Sequence, residues 1–326
     1  DESVKAPRIS SSAVGALQGA KPGTTEDAGG ASGAKTEKEV GVLEEQHGKE
    51  EASIAKPPNP FDDKGQITGD INWILDFAII GFPKTGTSTM MRYLGNHSDT
   101  IFVPPKETCQ MRFYQYKALF KILYKEYHPN RLMGIKCPGD LEEDDALESY
   151  DEFFPRTKFI VGVRQPVKWF QSFYNYRVTI GWKLPENTTT MIGGSRNHDR
   201  EVNTNRGNFA SHLKMLDPRR QVFLYDVEQL SDPDPIRAAR FLTDLQEFLG
   251  LKKPLNDDMG WIETGKRLPS SNSTKGKIKI CDGQHEKIRA VLQRQAVESS
   301  SYIVTDFMER ANVTVSSPDH FKSIMA

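Results

Sequence analysis

From Trp73 onward the chain alternates short apolar runs of strand length with longer stretches in which apolar residues recur every three or four positions. Each apolar run ends in a turn signal, a pattern that predicts parallel strands joined through helices. The runs place strands at 76–81, 100–103, 132–136, 158–163 and 221–225. Helices are expected at 87–94, 110–127, 144–153, 167–179, 209–216, 235–249 and, longest, 284–310. Residues 1–60 break the pattern: they are rich in Gly, Ala, Ser, Glu and Lys, hold no aromatic residue before Phe61, and show no sustained period. Such a segment cannot bury enough surface to offset its ordering, so it reads as a disordered stem or linker, with one α/β domain at 61–326. In a sheet of this kind ligands sit beyond the carboxyl ends of the strands, so the loops after the strands are where chemistry is sought.

Composition narrows the function. The 326 residues are 37% hydrophobic and 27% charged, enough for one sizeable core. A net charge of -1 gives no global field for nucleic acid or an anionic membrane, so an anion site must be local. The longest apolar stretch, 73–82, is interrupted by Asp76 and is about half of what spans a bilayer, so the sequence reads as a soluble chain. It begins with Asp1 rather than Met, so something upstream is expected to have been removed, whether a signal, an anchor or a stretch cut off at an artificial boundary, and the sequence leaves open which. Cys109, Cys137 and Cys281 are too few for a disulfide framework and lack metal-ligand spacing. At most one disulfide can form, and the sequence leaves open whether Cys109 pairs with Cys137.

Two loops carry the strongest chemical signals. After the first strand comes Gly81-Phe82-Pro83-Lys84-Thr85-Gly86-Thr87-Ser88, followed by a helix. A glycine-bearing strand-to-helix turn is a nest of backbone N–H donors at a helix's positive end, suited to a phosphate, and makes the sheet P-loop-like. An ATPase loop places Lys directly after its last glycine. Here Thr87 follows Gly86, and Lys84 lies two residues before it. After the fourth strand comes Arg164-Gln165-Pro166, with Ser172 about two helical turns on. Where a nucleoside triphosphatase often ends a neighbouring strand in an acid that holds magnesium, this strand ends in a guanidinium, whose planar fork suits a second phosphate. Singly, each loop could be an ordinary turn and a surface ion pair; a ligand with two phosphoryl groups accounts for both.

The two segments together resemble the sulfotransferase superfamily: GFPKTGTS is similar to its loop for the 5′-phosphosulfate, and RQPVKWFQS to its 3′-phosphate motif. The likeness runs over roughly 74–310 and takes in VFLYDVEQL and FLTDLQEFLGL. It implies 3′-phosphoadenosine 5′-phosphosulfate as cosubstrate, held by Lys84, Thr85, Gly86, Thr87 and Ser88 at its 5′ side and by Arg164 and Ser172 at its 3′-phosphate. Thr264-Gly265-Lys266-Arg267 loosely matches the basic loop near the adenine, adding Lys266 and Arg267 to the binding set. Pro104-Pro105-Lys106-Glu107 and Gly134-Ile135-Lys136-Cys137-Pro138 resemble elements of the Golgi carbohydrate branch, the heparan sulfate type, with Cys137 in place of a hydroxyl residue and Gly139-Asp140 where an aromatic is common. By that resemblance Glu107 is the general base on the acceptor, Lys84 stabilises the bridging oxygen, and Lys136 is a further candidate for that work. No metal is expected.

The same resemblance implies a carbohydrate acceptor and a Golgi-lumen enzyme anchored as a type II membrane protein in its precursor, while the near-zero net charge argues for no nucleic-acid partner. The acceptor patterns at Asn96, Asn187, Asn272 and Asn312 are consistent with a glycoprotein. Competing readings are transfer to a small alcohol, a phenol or a protein tyrosine; a P-loop kinase or nucleotide switch; and a silent binding module. Trp169, Phe170, Phe173, Tyr174 and Tyr176 read as packing residues on one helix, as do Met111, Phe113, Tyr116 and Phe120 on another, while Trp182 in the long polar loop is a candidate acceptor contact.

Overall fold

The computed structural model describes residues 56–112, 115–193, 202–255 and 276–326. Six strands, β1 (Phe77–Gly81), β2 (Thr100–Phe102), β3 (Leu132–Lys136), β4 (Lys158–Val163), β5 (Val222–Asp226) and β6 (Val313–Val315), form one sheet in the order β2-β3-β1-β4-β5-β6. Every neighbouring pair is parallel. Parallel strands need crossovers, and the helices supply them: α1 (Thr87–Gly95), α2 (Tyr116–Lys125), α3 (Asp144–Phe153), α4 (Pro166–Thr179), α5 (Phe209–Leu213), α6 (Pro235–Leu249), α7 (Glu286–Tyr302) and α8 (Pro318–Met325).

The side-chain alternation of a strand divides the core in two. Phe77 and Ile79 of β1, Ile160 of β4 and Phe223 of β5 pack with Met90 and Leu94 of α1 and with Phe241, Leu245 and Leu249 of α6. Ala78 and Ile80, Phe159 and Val161, and Val222 and Leu224 point the other way, onto Phe120, Tyr150, Trp169 and Leu292 of α2, α3, α4 and α7. Because both faces are covered, the central strands are apolar throughout, which is what made them readable as short continuous runs.

The expected α/β class is the observed one, and the differences from the expected elements are local. β5 extends one residue further, to Asp226, so this strand ends in an acid. β6 and α8 lie outside the expected set. The helix expected at 110–127 is α2 alone, because Cys109–Arg112 forms a tight turn in which the Arg112 N–H donates to the Cys109 carbonyl at 3.3 Å. The helix expected at 209–216 stops at Leu213, and the one expected at 284–310 gives way after Tyr302 to a π-helical turn, Ile303–Phe307. Residues 56–60, assigned above to the stem, lie against α2: Tyr124 Oη donates to the Pro57 carbonyl at 3.2 Å and Lys56 Nζ sits 4.0 Å over the Tyr124 ring. Lys266, Arg267, Phe113 and Asn272 lie outside the described residues.

Candidate active site

The strand order places the site. From β1 the chain moves outward to β2, returns to β3, then crosses β1 to reach β4. The loops after β1 and β4 therefore diverge from adjacent strand ends and leave a crevice between them, the usual ligand position in an open α/β sheet. Arg164, directly after β4, donates from Nη1 to the Lys84 carbonyl at 3.3 Å, so the two phosphate-motif cations sit beside one another. Lys84, Gly86, Thr87, Ser88, Arg164 and Ser172 all line one cleft of about 1380 Å³, along with Glu107 and Lys136. Thr85 is buried instead, and donates to the Phe82 carbonyl at 2.7 Å. Its role is to close the loop rather than to offer its hydroxyl.

The loop is held in a demanding shape. Lys84 has φ 70° and Gly86 φ 84°, both left-handed. For Gly86 this is permissible for want of a Cβ, which would lie 2.3 Å from Leu230 Cδ1; for Lys84 it is a departure that only surrounding contacts sustain. Two of those contacts are visible. The Trp169 indole N–H donates to the Pro83 carbonyl at 2.8 Å, and the Arg164 bond fixes the carbonyl of Lys84 itself. Gly86 starts α1 with no side-chain cap, which leaves the helix's first backbone donors to a ligand. Gln165, by contrast, caps α4 by accepting from the Lys168 N–H.

The electrostatics are those of an anion site. Burial, then the neighbouring charges of Arg164 and Lys136, push the Lys84 ammonium below the ordinary lysine range. Each cause disfavours the charged form, and an anion in the cleft would reverse the second. The ammonium rests 4.2 Å over the Tyr176 ring. Across the cleft, Lys136 at the end of β3 is 3% exposed, and its Nζ donates to Glu107 Oε2 at 2.5 Å and to Ser88 Oγ at 3.1 Å. Glu107 is half exposed, open to a group entering from solvent. Cys109 and Cys137 form a disulfide, which resolves the pairing the sequence left open.

Sequence reasoning missed several basic residues on this cleft. Arg112 pairs with the buried Asp140 at 3.4 Å and with Glu143 at 3.4 Å, and Arg206 pairs with Glu142. Arg177 stacks 4.3 Å from Trp182 and 4.8 Å from Phe173, and lies close enough to Arg206, Glu142 and Glu107 for their charges to bear on it. They come from a turn, a short 3-10 segment and a helix flank, with no motif to mark them. The aromatic run on α4 divides: Trp169, Phe170, Phe173 and Tyr174 are buried as expected, but Tyr176 is exposed at the cleft. Trp182, the expected acceptor contact, is beside Arg177 and not among the cleft's lining residues. Asp226, the acid that ends β5, does not line the cleft either; its Oδ1 accepts from the Glu228 N–H at 2.8 Å and caps the 3-10 turn Val227–Ser231. Burial pushes its carboxyl up to about 6.

No protein-family model matches the chain, and no curated protein matches it in sequence. Comparison with solved structures finds sulfotransferases. One is a sulfotransferase from Alicyclobacillus acidocaldarius, 19% identical, with a TM-score of 0.49 over 71% of this chain and 96% of that one. Another is the sulfotransferase domain from the Synechococcus PCC 7002 olefin synthase, 15% identical, TM-score 0.41, covering 77% of this chain and 98% of that one. A third is the sulfotransferase domain from the curacin biosynthetic pathway, 17% identical, TM-score 0.36, covering 67% and 97%.

Proposed function

We propose that this protein transfers a sulfuryl group from 3′-phosphoadenosine 5′-phosphosulfate to a hydroxyl or amine of a carbohydrate. The observation that carries the proposal is one cleft that holds Lys84 and Arg164 side by side at adjoining strand ends and is also lined by the Glu107–Lys136 pair. The donor set fits a bisphosphate nucleotide: an uncapped helix start and Lys84 for the 5′ side, Arg164 and Ser172 for the 3′-phosphate. When bound, that nucleotide supplies the activated sulfuryl group.

The chain's own residues then have defined tasks. Glu107, held by Lys136, accepts the proton of the acceptor hydroxyl as the new O–S bond forms. Lys84 stabilises charge on the bridging oxygen as the old S–O bond breaks. Lys136 holds Glu107 and Ser88 in place from a buried strand end, so it serves both sides of the reaction. Alignment and fixed charge do most of the work in such in-line transfers.

The basic side chains around Glu107, namely Arg112, Arg177 and Arg206, support an acceptor that carries anionic groups of its own. A lumenal, Golgi location belongs to the same proposal. It is supported by the disulfide, which persists in oxidising compartments, and by the exposed acceptor asparagines Asn96 and Asn187. Among the described residues no helix is long and apolar enough to cross a membrane.

The nucleotide-kinase alternative calls for an acid that faces the phosphates; Asp226 is buried, caps the turn Val227–Ser231 through Oδ1, and is not among the cleft's lining residues. The test is calorimetric titration with 3′-phosphoadenosine 5′-phosphate against ATP, with and without magnesium, followed by transfer of labelled sulfate to desulfated polysaccharides, phenols and tyrosine peptides. Tight, magnesium-independent binding of the bisphosphate and labelling of the polysaccharides is the expected result. Preference for magnesium-ATP sinks the proposal.

A further inference from the structure

The Cys109–Cys137 bond lies between two ion pairs built on the same two segments. Glu107 is two residues before Cys109, and Lys136 is the residue before Cys137; they meet at 2.5 Å. Arg112 is three residues after Cys109, and Asp140 three after Cys137; they meet at 3.4 Å. Both segments turn in the same way after their cysteine: the Arg112 N–H donates to the Cys109 carbonyl at 3.3 Å, and the Asp140 N–H to the Cys137 carbonyl at 3.2 Å. The crosslink thus fixes the register of one segment against the other.

The two segments are unequal in support. Cys137 continues β3 and donates its N–H to the Ile79 carbonyl of β1 at 3.1 Å, so it belongs to the sheet's centre. Glu107 follows Pro105 and Lys106 in an exposed loop after β2, a three-residue strand at the sheet's edge. The loop's nearest attachments after Glu107 are the Thr108 N–H, which donates to the Lys136 carbonyl at 2.9 Å, and the disulfide.

We propose that Cys109 and Cys137 are positioning residues for sulfuryl transfer: their bond anchors the base-bearing loop to the central sheet and so sets Glu107 against Lys136 at the acceptor side of the cleft. The inference rests on the sulfotransferase reading above. A base displaced by about an ångström loses much of its rate advantage, whereas the nucleotide's contacts, on the loops after β1 and β4, do not pass through the crosslink.

The test compares oxidised protein, protein reduced with a trialkylphosphine and then reoxidised, and the Cys109→Ser/Cys137→Ser variant. Turnover at saturating nucleotide is expected to fall about 10- to 100-fold on reduction and in the variant, and to return on reoxidation. The dissociation constant for 3′-phosphoadenosine 5′-phosphate is expected to hold steady, which also certifies the fold. A second readout needs no acceptor: a water-soluble carbodiimide joins paired carboxylate and ammonium groups. The Glu107–Lys136 isopeptide, identified by peptide mass spectrometry, is expected in the oxidised form and lost in the reduced one. Equal turnover, or equal crosslinking, in protein whose thiols are shown to be free overturns the inference. Failure of the oxidised protein to bind the nucleotide instead refutes the sulfotransferase reading, and the inference falls with it.

Discussion

Lys84 concentrates the site's physical demands in one residue. Its backbone is left-handed, its carbonyl accepts from Arg164, and its ammonium is half-buried beside two other cations. A lysine kept there at such cost is suited to meeting negative charge that grows during a reaction, because the donor is already oriented and desolvated. Lys84→Ala should therefore reduce turnover about 10²- to 10³-fold. Glu107→Gln should reduce it about 10²- to 10⁴-fold while nucleotide affinity, read by calorimetry, stays as it was. Unaltered turnover in the glutamine variant would remove Glu107 from the reaction. On the proposed reading Arg164 serves binding: Arg164→Ala loses a charge-assisted contact of about 1.5–3 kcal/mol, and because Arg164 also holds the Lys84 carbonyl, affinity falls more for the bisphosphate than for a nucleotide lacking the 3′-phosphate. Equal losses for both ligands would misplace the 3′ site.

The elements that carry these residues were legible to different degrees, and the reasons are physical. β1, β3 and β4 are buried on both faces, so their apolar runs stand out and the expected bounds match the observed ones to within a residue. The cations and hydroxyls that follow them were legible because a strand end in a parallel sheet must be followed by a turn, and a turn rich in Lys, Thr and Gly has little apolar work to do. β6 escaped notice because it is three half-buried residues at the sheet's edge, overlapping the Asn312-Val313-Thr314 triplet that reads as a glycosylation site. α8 is a single short amphipathic segment, brief enough to pass for a loop. Arg112, Arg177 and Arg206 reach the cleft from segments far apart in sequence, and only tertiary packing brings them together. The disulfide was undecidable for the same reason, since Cys109 and Cys137 are 28 residues apart and adjacent only because β2 lies beside β3. At the β1–α1 junction the prediction is Gly86→Ala. A methyl there meets Leu230 and forces an L-residue into left-handed φ, costing about 1–2 kcal/mol of stability for the backbone alone. Nucleotide affinity should fall as well, since a residue strained at left-handed φ at the start of α1 pulls the loop away from the shape that presents its backbone donors. A variant with native melting temperature and native affinity would show the loop to be more tolerant than this geometry allows.

Across the whole molecule, two buried carboxyls make stability depend on pH in a specific direction. Burial holds Asp226 up at about 6 and Asp140 at about 7, each above the ordinary aspartate value of 3.8. The folded state thus retains protons that the unfolded chain has already released, so stability contributed by these groups is greatest near pH 4 and declines as pH rises through 6 and 7. Urea midpoints should accordingly fall between about pH 4 and pH 7, and Asp226→Asn, which keeps the cap to Glu228, should flatten the decline. A variant with the same slope as the parent would exonerate that carboxyl. The cleft itself has a further consequence. Nine of its lining side chains are Lys or Arg, and although Arg112, Lys136, Lys168 and Arg206 are paired with carboxylates, cations outnumber anions there in a chain that is nearly neutral as a whole. Field lines from such a concavity reach into solvent and draw polyanions toward it before any contact is made. The velocity of capture, measured by stopped flow, should drop steeply as sodium chloride is added, whereas escape from the bound state should hardly change. In a concentrated electrolyte the protein would then be limited by how often it meets an anionic ligand, with the steps after capture intact.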